Sequence, residues 1–218
     1  MAFVELSHEI RDGMPVFPGL EPPRVGAIID HEGSRPRYGG QAEFYLGRIE
    51  MACNTATYID SPFHRFRDGQ DLSEIALDAV AGLPGVVLEG RVGSERAVAL
   101  EADEAALAGK AVLIRTGWDE RWGTEQYWQP GPFVSPASLD LLLRSRPKLV
   151  GVDFWNIDDI DDPSRRVHTG LLRERILIVE HLCNLASLPP AGFRFFAVPL
   201  RLVGGASLPV RAFAEIPD

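Results

Sequence analysis

Residues 54–64 read Asn-Thr-Ala-Thr-Tyr-Ile-Asp-Ser-Pro-Phe-His, so a Ser-Pro turn separates Asp60 from His64. A carboxylate and an imidazole held close together can share a metal ion or move a proton. In an extended chain alternate side chains share a face, so Asn54, Ala56, Tyr58 and Asp60 would project together. Ser61-Pro62 ends such a run, because proline cannot continue a central ladder. His64 falls just past the turn, where it can swing back over the same face. A surface turn in which Asp60 caps local amides fits the same residues.

Two other places offer matching groups. Val167-His168-Thr169-Gly170 follows the acidic run Asp158-Asp159-Ile160-Asp161-Asp162, and Glu180 ends the apolar run Ile176-Leu177-Ile178-Val179. A carboxylate at the end of a buried strand is costly unless it is paired or bound to a cation. Strand ends are also where α/β folds place ligands. His168 and Glu180 are therefore candidate partners for Asp60. His181 reads better as a packing histidine, and His8 and His31 are assigned no chemistry. The acidic run lacks the alternating ligands and the glycine of an EF-hand loop. It reads as solvated, with Asp153 and Asp158 as structural anchors. Trp118, Trp122, Tyr127 and Trp128 either line a pocket or, the better reading, fill a satellite of the core. Phosphate loops, nucleophile elbows and Cys-x-x-Cys pairs are absent.

The elements that must position these groups are mostly strands. Residues 44–51 alternate imperfectly and lead into the stretch above. Residues 85–89, 111–115, 149–153 and 176–180 are short apolar runs suited to strands buried on both faces. Residues 195–198 and 209–213 read as two more. Ser135-Pro136 predicts a helix start, with Leu139, Leu142 and Leu143 as its apolar stripe. Residues 71–80, 101–107 and 168–174 are further helical candidates. The pattern is α/β, a mixed central sheet with few helices.

A chain of 218 residues without a linker or repeat suits a single domain over 1–218. A net charge of −9 argues against a nucleic-acid partner, because phosphate binding needs a basic surface. The N-terminus lacks a signal-peptide pattern, and no apolar run approaches a membrane span. Cys53 and Cys183 sit in apolar contexts and read as free buried thiols of a reducing compartment, which points to the cytoplasm.

Taken together, these residues resemble the cyclase-like metal-dependent hydrolases, the group that includes bacterial kynurenine formamidase and isatin hydrolase. The family signature is His-x-Gly-Thr-His-x-Asp-x-Pro-x-His. In register, residues 54–64 keep Thr57, Asp60, Pro62 and His64, and they replace the two metal-binding histidines with Asn54 and Tyr58 and the glycine with Ala56. Leu6 to Ile10, Gly13 to Gly19, Leu113 to Trp118, Gly151 to Asp153, Asn156 to Asp158 and Pro209 to Ala212 resemble further family segments in the same order. The resemblance implies a compact swivelling β/β/α domain and a homo-oligomer, dimer or tetramer. It also implies Asp60, His168 and Glu180 as ligands of one divalent ion, and His64 as the acid/base.

Three functions fit. The first is metal-assisted hydrolysis of a small amide, lactam or lactone. In it Asp60, His168 and Glu180 hold zinc or manganese, His64 moves the proton, and Asn54 and Tyr58 hydrogen-bond the substrate. The second is a metal-free cyclase or isomerase using His64 and Asp60. The third is a non-catalytic relative that binds a small molecule.

Overall fold

The computed structural model describes residues 1–217. Its strands are β1 Ala2–Glu5, β2 Arg24–Ile29, β3 Leu46–Glu50, β4 Tyr58–Asp60, β5 Leu83–Glu89, β6 Arg91–Val92, β7 Ala97–Ala99, β8 Ala111–Arg115, β9 Phe133–Val134, β10 Leu149–Val152, β11 Leu177–Glu180, β12 Ala191–Phe196, β13 Ser207–Pro209 and β14 Phe213–Ile216. The helices are α1 His31–Ser34, α2 Glu104–Leu107, α3 Pro136–Ser145 and α4 Arg166–Arg173.

Nine strands form the main sheet, in the order β1-β14-β12-β5-β8-β10-β11-β4-β13. The central strands β5, β8, β10 and β11 run parallel, and the flanking pairs are antiparallel. Period-two alternation divides the apolar runs between two cores. Ala111, Leu113, Leu149, Leu177 and Val179 enter one, with Ile59 and Phe195. Val112, Ile114, Val150, Val152 and Ile178 enter the other, where Leu107, Leu142 and Leu171 from α2, α3 and α4 cover them. The α/β class and the central strands match the sequence reading. So does α3, which begins with Ser135 accepting from Ser138 N and with Pro136 in the first turn.

Three local expectations fail for identifiable reasons. Residues 71–80 form turns and a 3-10 segment at Leu77–Ala79 instead of a helix. The Asp71 carboxylate accepts from the amides of Ser73 and Gly204 and from the Ser73 hydroxyl, which competes with helical bonding. The strand expected over 209–213 is split between β13 and β14, with Ala212 bonded to Leu6 and Ser7 at the bend. The stretch from Asn54 is not extended throughout, because Ala56 sits at φ 54 and only residues 58–60 pair as a strand. Both cysteines are free, but Cys53 is exposed and only Cys183 is buried. Among the described residues no helix is long and apolar enough to cross a membrane.

Candidate active site

The register of three strands builds the site. β4 pairs with β11 so that Tyr58 lies opposite Glu180 and Asp60 opposite Ile178, and with β13 so that Asp60 lies opposite Ser207. Opposed residues share a face. Ile178 belongs to the helix-covered core, so Tyr58, Asp60 and Glu180 all project toward the face that carries α4. His168 descends from α4, and the short 3-10 turn Pro62–His64 returns the His64 ring. The rings of His64 and His168 lie 5.5 Å apart.

Asp60 is fully buried, and its two oxygens have different surroundings. Oδ1 accepts from the Ser207 hydroxyl and lies 3.7 Å from His64 Nδ1. Oδ2 is buried with no hydrogen-bond partner and lies 3.6 Å from His168 Nε2. His168 is fixed from behind, since Nδ1 is 2.6 Å from Asp158 Oδ2. Asp158 also accepts from the amides of Val167 and His168 at the start of α4, so one carboxylate anchors both the helix and the ring. Asn156 Oδ1 in turn accepts from the Asp158 amide and from Arg165 Nη2.

Glu180 uses both oxygens. Oε1 accepts from Ile157 N at 2.6 Å and stands 3.6 Å from His168 Nε2, while Oε2 accepts from the Tyr58 hydroxyl. Asn54 is half-buried beside Tyr58. Burial, with the charges of Glu180 and Asp60, holds the Tyr58 phenol well above its ordinary range. Burial also raises Glu180, to about 7. His168 is buried, which opposes its charge, but Glu180, Asp158 and Asp60 prevail and bring it up to about 10. Burial lowers His64, against the pull of Asp60. Its side chain keeps 29% exposure, whereas Asp60 has none and His168 only 4%, so His64 is the member of this trio open to solvent.

The donor set fits a divalent ion. The ligand atoms that all lie within 4.8 Å of one another belong to Asp60, His64 and His168; Glu180, the third ligand expected from the sequence, stands outside that trio and approaches His168 Nε2 at 3.6 Å. Two donors about 2.1 Å from a tetrahedral ion stand roughly 3.4 Å apart, close to the spacing of His168 Nε2 from Asp60 and from Glu180. The unpartnered Asp60 oxygen is the kind of atom a cation satisfies. A histidine fixed on its far nitrogen by a carboxylate is the usual support for a metal ligand.

All six residues singled out from the sequence thus gather in one cluster, though Tyr58 is turned toward Glu180 and away from open space. Two members of the cluster were not singled out as part of the site. Ser207 gave no signal beyond one polar residue in the strand-like Ser-Leu-Pro-Val. Asp158 was read as an anchor without its tie to His168 ten residues on, which its place shortly before a helix start could have suggested.

A second constellation stands behind the first. His181, at φ 57, accepts or donates at Nδ1 with the Tyr127 hydroxyl at 2.8 Å and packs among Tyr58, Trp122 and Trp128. Burial lowers it to about 3, which fits the packing role. His8 stacks on Trp122 with ring centroids 3.8 Å apart, and burial lowers it to about 4. Tyr127 is fully buried, while Trp122 and Trp128 also line a cavity of about 840 Å³ between the N-terminal segment and residues 119–128. The cluster therefore serves both as core and as pocket wall.

Comparison with known proteins adds relatives to this geometry. The sequence matches the family described as Putative cyclase over residues 4–159. It is 27% identical to a kynurenine formamidase of Salinibacter ruber over 226 aligned positions, covering all of both chains. Among solved structures, isatin hydrolase A from Labrenzia aggregata, bound to benzyl benzoate, superposes with a TM-score of 0.81 at 23% identity, covering 100% of this chain and 94% of that one. A potential metal-dependent hydrolase with cyclase activity superposes at 0.76 with 22% identity, covering 98% and 96%. At these identities the solved structures establish the fold alone.

Proposed function

Because the chain belongs to the Putative cyclase family, we propose that it is a metal-assisted hydrolase of a small amide, lactam or lactone that carries an aromatic ring. The observation that carries this reading is the unpartnered, fully buried Asp60 Oδ2 facing His168 Nε2 across 3.6 Å. The kynurenine formamidase relative supports the amide substrate and the aromatic ring.

Asp60, His168 and Glu180 are the residues to hold one divalent ion, zinc or manganese. When bound, such an ion polarises a carbonyl and lowers the pKa of water. The remaining work falls to side chains. Asp158 fixes the His168 ring through Nδ1 so that Nε2 points at Asp60. Ile157 N and Tyr58 hold the Glu180 carboxylate in one orientation. His64 has solvent access and contact with the buried carboxylate, and it moves a proton from water to the leaving group. Asn54 keeps amide hydrogen-bonding capacity for the substrate, while Tyr58 acts on the substrate only through the shape of the wall it forms with Asn54.

The whole chain acts as one unit. Its two free cysteines suit a reducing compartment such as the cytoplasm. The β2–β3 ribbon supports assembly with a second copy, because both strands are almost wholly exposed and carry Val25, Ile28, Leu46 and Ile49.

The test is elemental analysis of the purified protein beside Asp60→Ala, with turnover of N-formyl aromatic amides. About one equivalent of metal, lost in the variant together with turnover, is the expected result. Turnover that survives chelation but is lost in Asp60→Ala would instead select the metal-free acid/base reading.

A further inference from the structure

We propose that Ser207 is a positioning residue that sets which nitrogen of His64 carries the proton. The inference rests on the reading of His64 as the proton-moving group.

Ser207 opens β13, the edge strand of the main sheet, directly opposite Asp60. Its hydroxyl touches two groups. It donates to Asp60 Oδ1, and its oxygen lies 3.3 Å from His64 Nδ1. His64 Nδ1 and Asp60 Oδ1 are 3.7 Å apart, too far for a hydrogen bond between them. The buried carboxylate therefore orients the imidazole only through the serine.

A hydroxyl has one hydrogen to give. The contact with Asp60 Oδ1 is the closer of the two, and an ionised carboxylate can only accept, so giving the hydrogen to His64 would strip Oδ1 of its donor. A carboxylate oxygen at 0% exposure left without its donor is costlier than a nitrogen of a ring whose side chain keeps 29% exposure. The hydrogen therefore belongs to Asp60, and Ser207 can only accept from His64. An acceptor facing Nδ1 fixes the hydrogen there and leaves the Nε2 lone pair bare, as a general base requires.

The backbone holds this geometry. Ala206 O, just before the serine, accepts from both the amide and the hydroxyl of Ser61, and Gly205 O accepts from Leu72 N. These bonds clamp β13 onto the turn that carries His64. Ser207 is itself buried, so water does not compete for its hydroxyl.

The test is a long-range proton–nitrogen correlation spectrum of the uniformly 15N-labelled protein at about pH 8.5, above the ordinary imidazole range, with His64 assigned by loss of its signals in His64→Gln. The wild-type protein should show His64 with hydrogen on Nδ1. Ser207→Ala should move the population toward hydrogen on Nε2 and lower kcat by about tenfold, with KM within about twofold, a small part of what a general base contributes. Ser207→Thr, which keeps the hydroxyl, should keep the wild-type tautomer and most of kcat. Hydrogen on Nε2 in the wild type, or an unchanged tautomer in a folded Ser207→Ala, would overturn the proposal. The wild-type spectrum alone decides if the alanine variant does not fold. Hydrogen on Nδ1 in a protein that hydrolyses no amide supports the serine contact and sinks the hydrolase reading instead.

Discussion

His168 is the residue on which the site turns. Three carboxylates around it overcome the effect of burial and raise it to about 10, so it carries a proton at neutral pH when no cation is bound. A metal requires the bare Nε2 lone pair, so binding must expel that proton. Apparent affinity for zinc should therefore rise by up to about tenfold per pH unit between roughly pH 7 and pH 9, levelling off only near the raised pKa. Titration calorimetry in buffers of different ionisation enthalpy should register release of about one proton. An affinity flat over that window would show that His168 is neutral before the ion arrives. His64→Ala tests the neighbouring role, with an expected loss of 10²–10⁴-fold in kcat and unchanged metal content. Loss of the metal as well would make His64 a ligand. These residues were legible because histidines and carboxylates at the ends of apolar runs are conspicuous. Ser207 was not, because serine is common and its contact with Asp60 spans 147 positions of sequence. Tyr58 was placed on the face of Asp60 correctly, although the alternation fails at Ala56.

At the scale of elements, the turn Pro62–His64 depends on one glycine. A Cβ on Gly69 would stand 2.6 Å from the Pro62 carbonyl carbon, so the two backbone segments touch where Phe63 N bonds to Gln70 O. Gly69→Ala should cost about 1–3 kcal/mol in urea unfolding and lower kcat by shifting His64. Full stability and activity would mean the turn has room to give. A second element-scale effect concerns acid. Burial lowers His181 to about 3 and His8 to about 4, whereas the unfolded chain titrates both near the usual 6.5. Between those limits the unfolded state binds more protons, so these groups favour folding fully above about pH 6.5 and lose that contribution as pH falls. The melting temperature should drop from pH 7 to pH 5, and less steeply in His181→Gln. An equally steep drop would assign the acid sensitivity elsewhere. Helix α3 could be read from its Ser-Pro start because the signal is local. Residues 71–80 misled because their helical spacing competes with Asp71 bonds that reach Gly204, a partner that sequence spacing does not reveal.

For the whole molecule, the parallel centre of the sheet was legible, since runs such as residues 111–115 are apolar on both faces. The insertion of β4 between β11 and β13 was not, because a three-residue strand has too little pattern to name its neighbours. The exposed ribbon gives the molecular-scale prediction. Light scattering after size exclusion should find a dimer or larger assembly, and the double change Ile28→Asp and Ile49→Asp should yield monomers. A wild-type monomer at micromolar concentration would mean that the ribbon serves another partner.

The position of β13 has a consequence for biosynthesis. Asp60 is made 147 residues before Ser207, which opens the strand that covers it and supplies its hydroxyl donor. On the ribosome the nascent chain thus carries Asp60 and His64 long before their enclosure can close. On the proposed metal reading, selection of a cation waits until Ser207 has been made, so ions met earlier would encounter an open and loosely held set of ligands. A truncation before residue 207 should accordingly bind metal weakly and with little discrimination, even where its central parallel strands have formed.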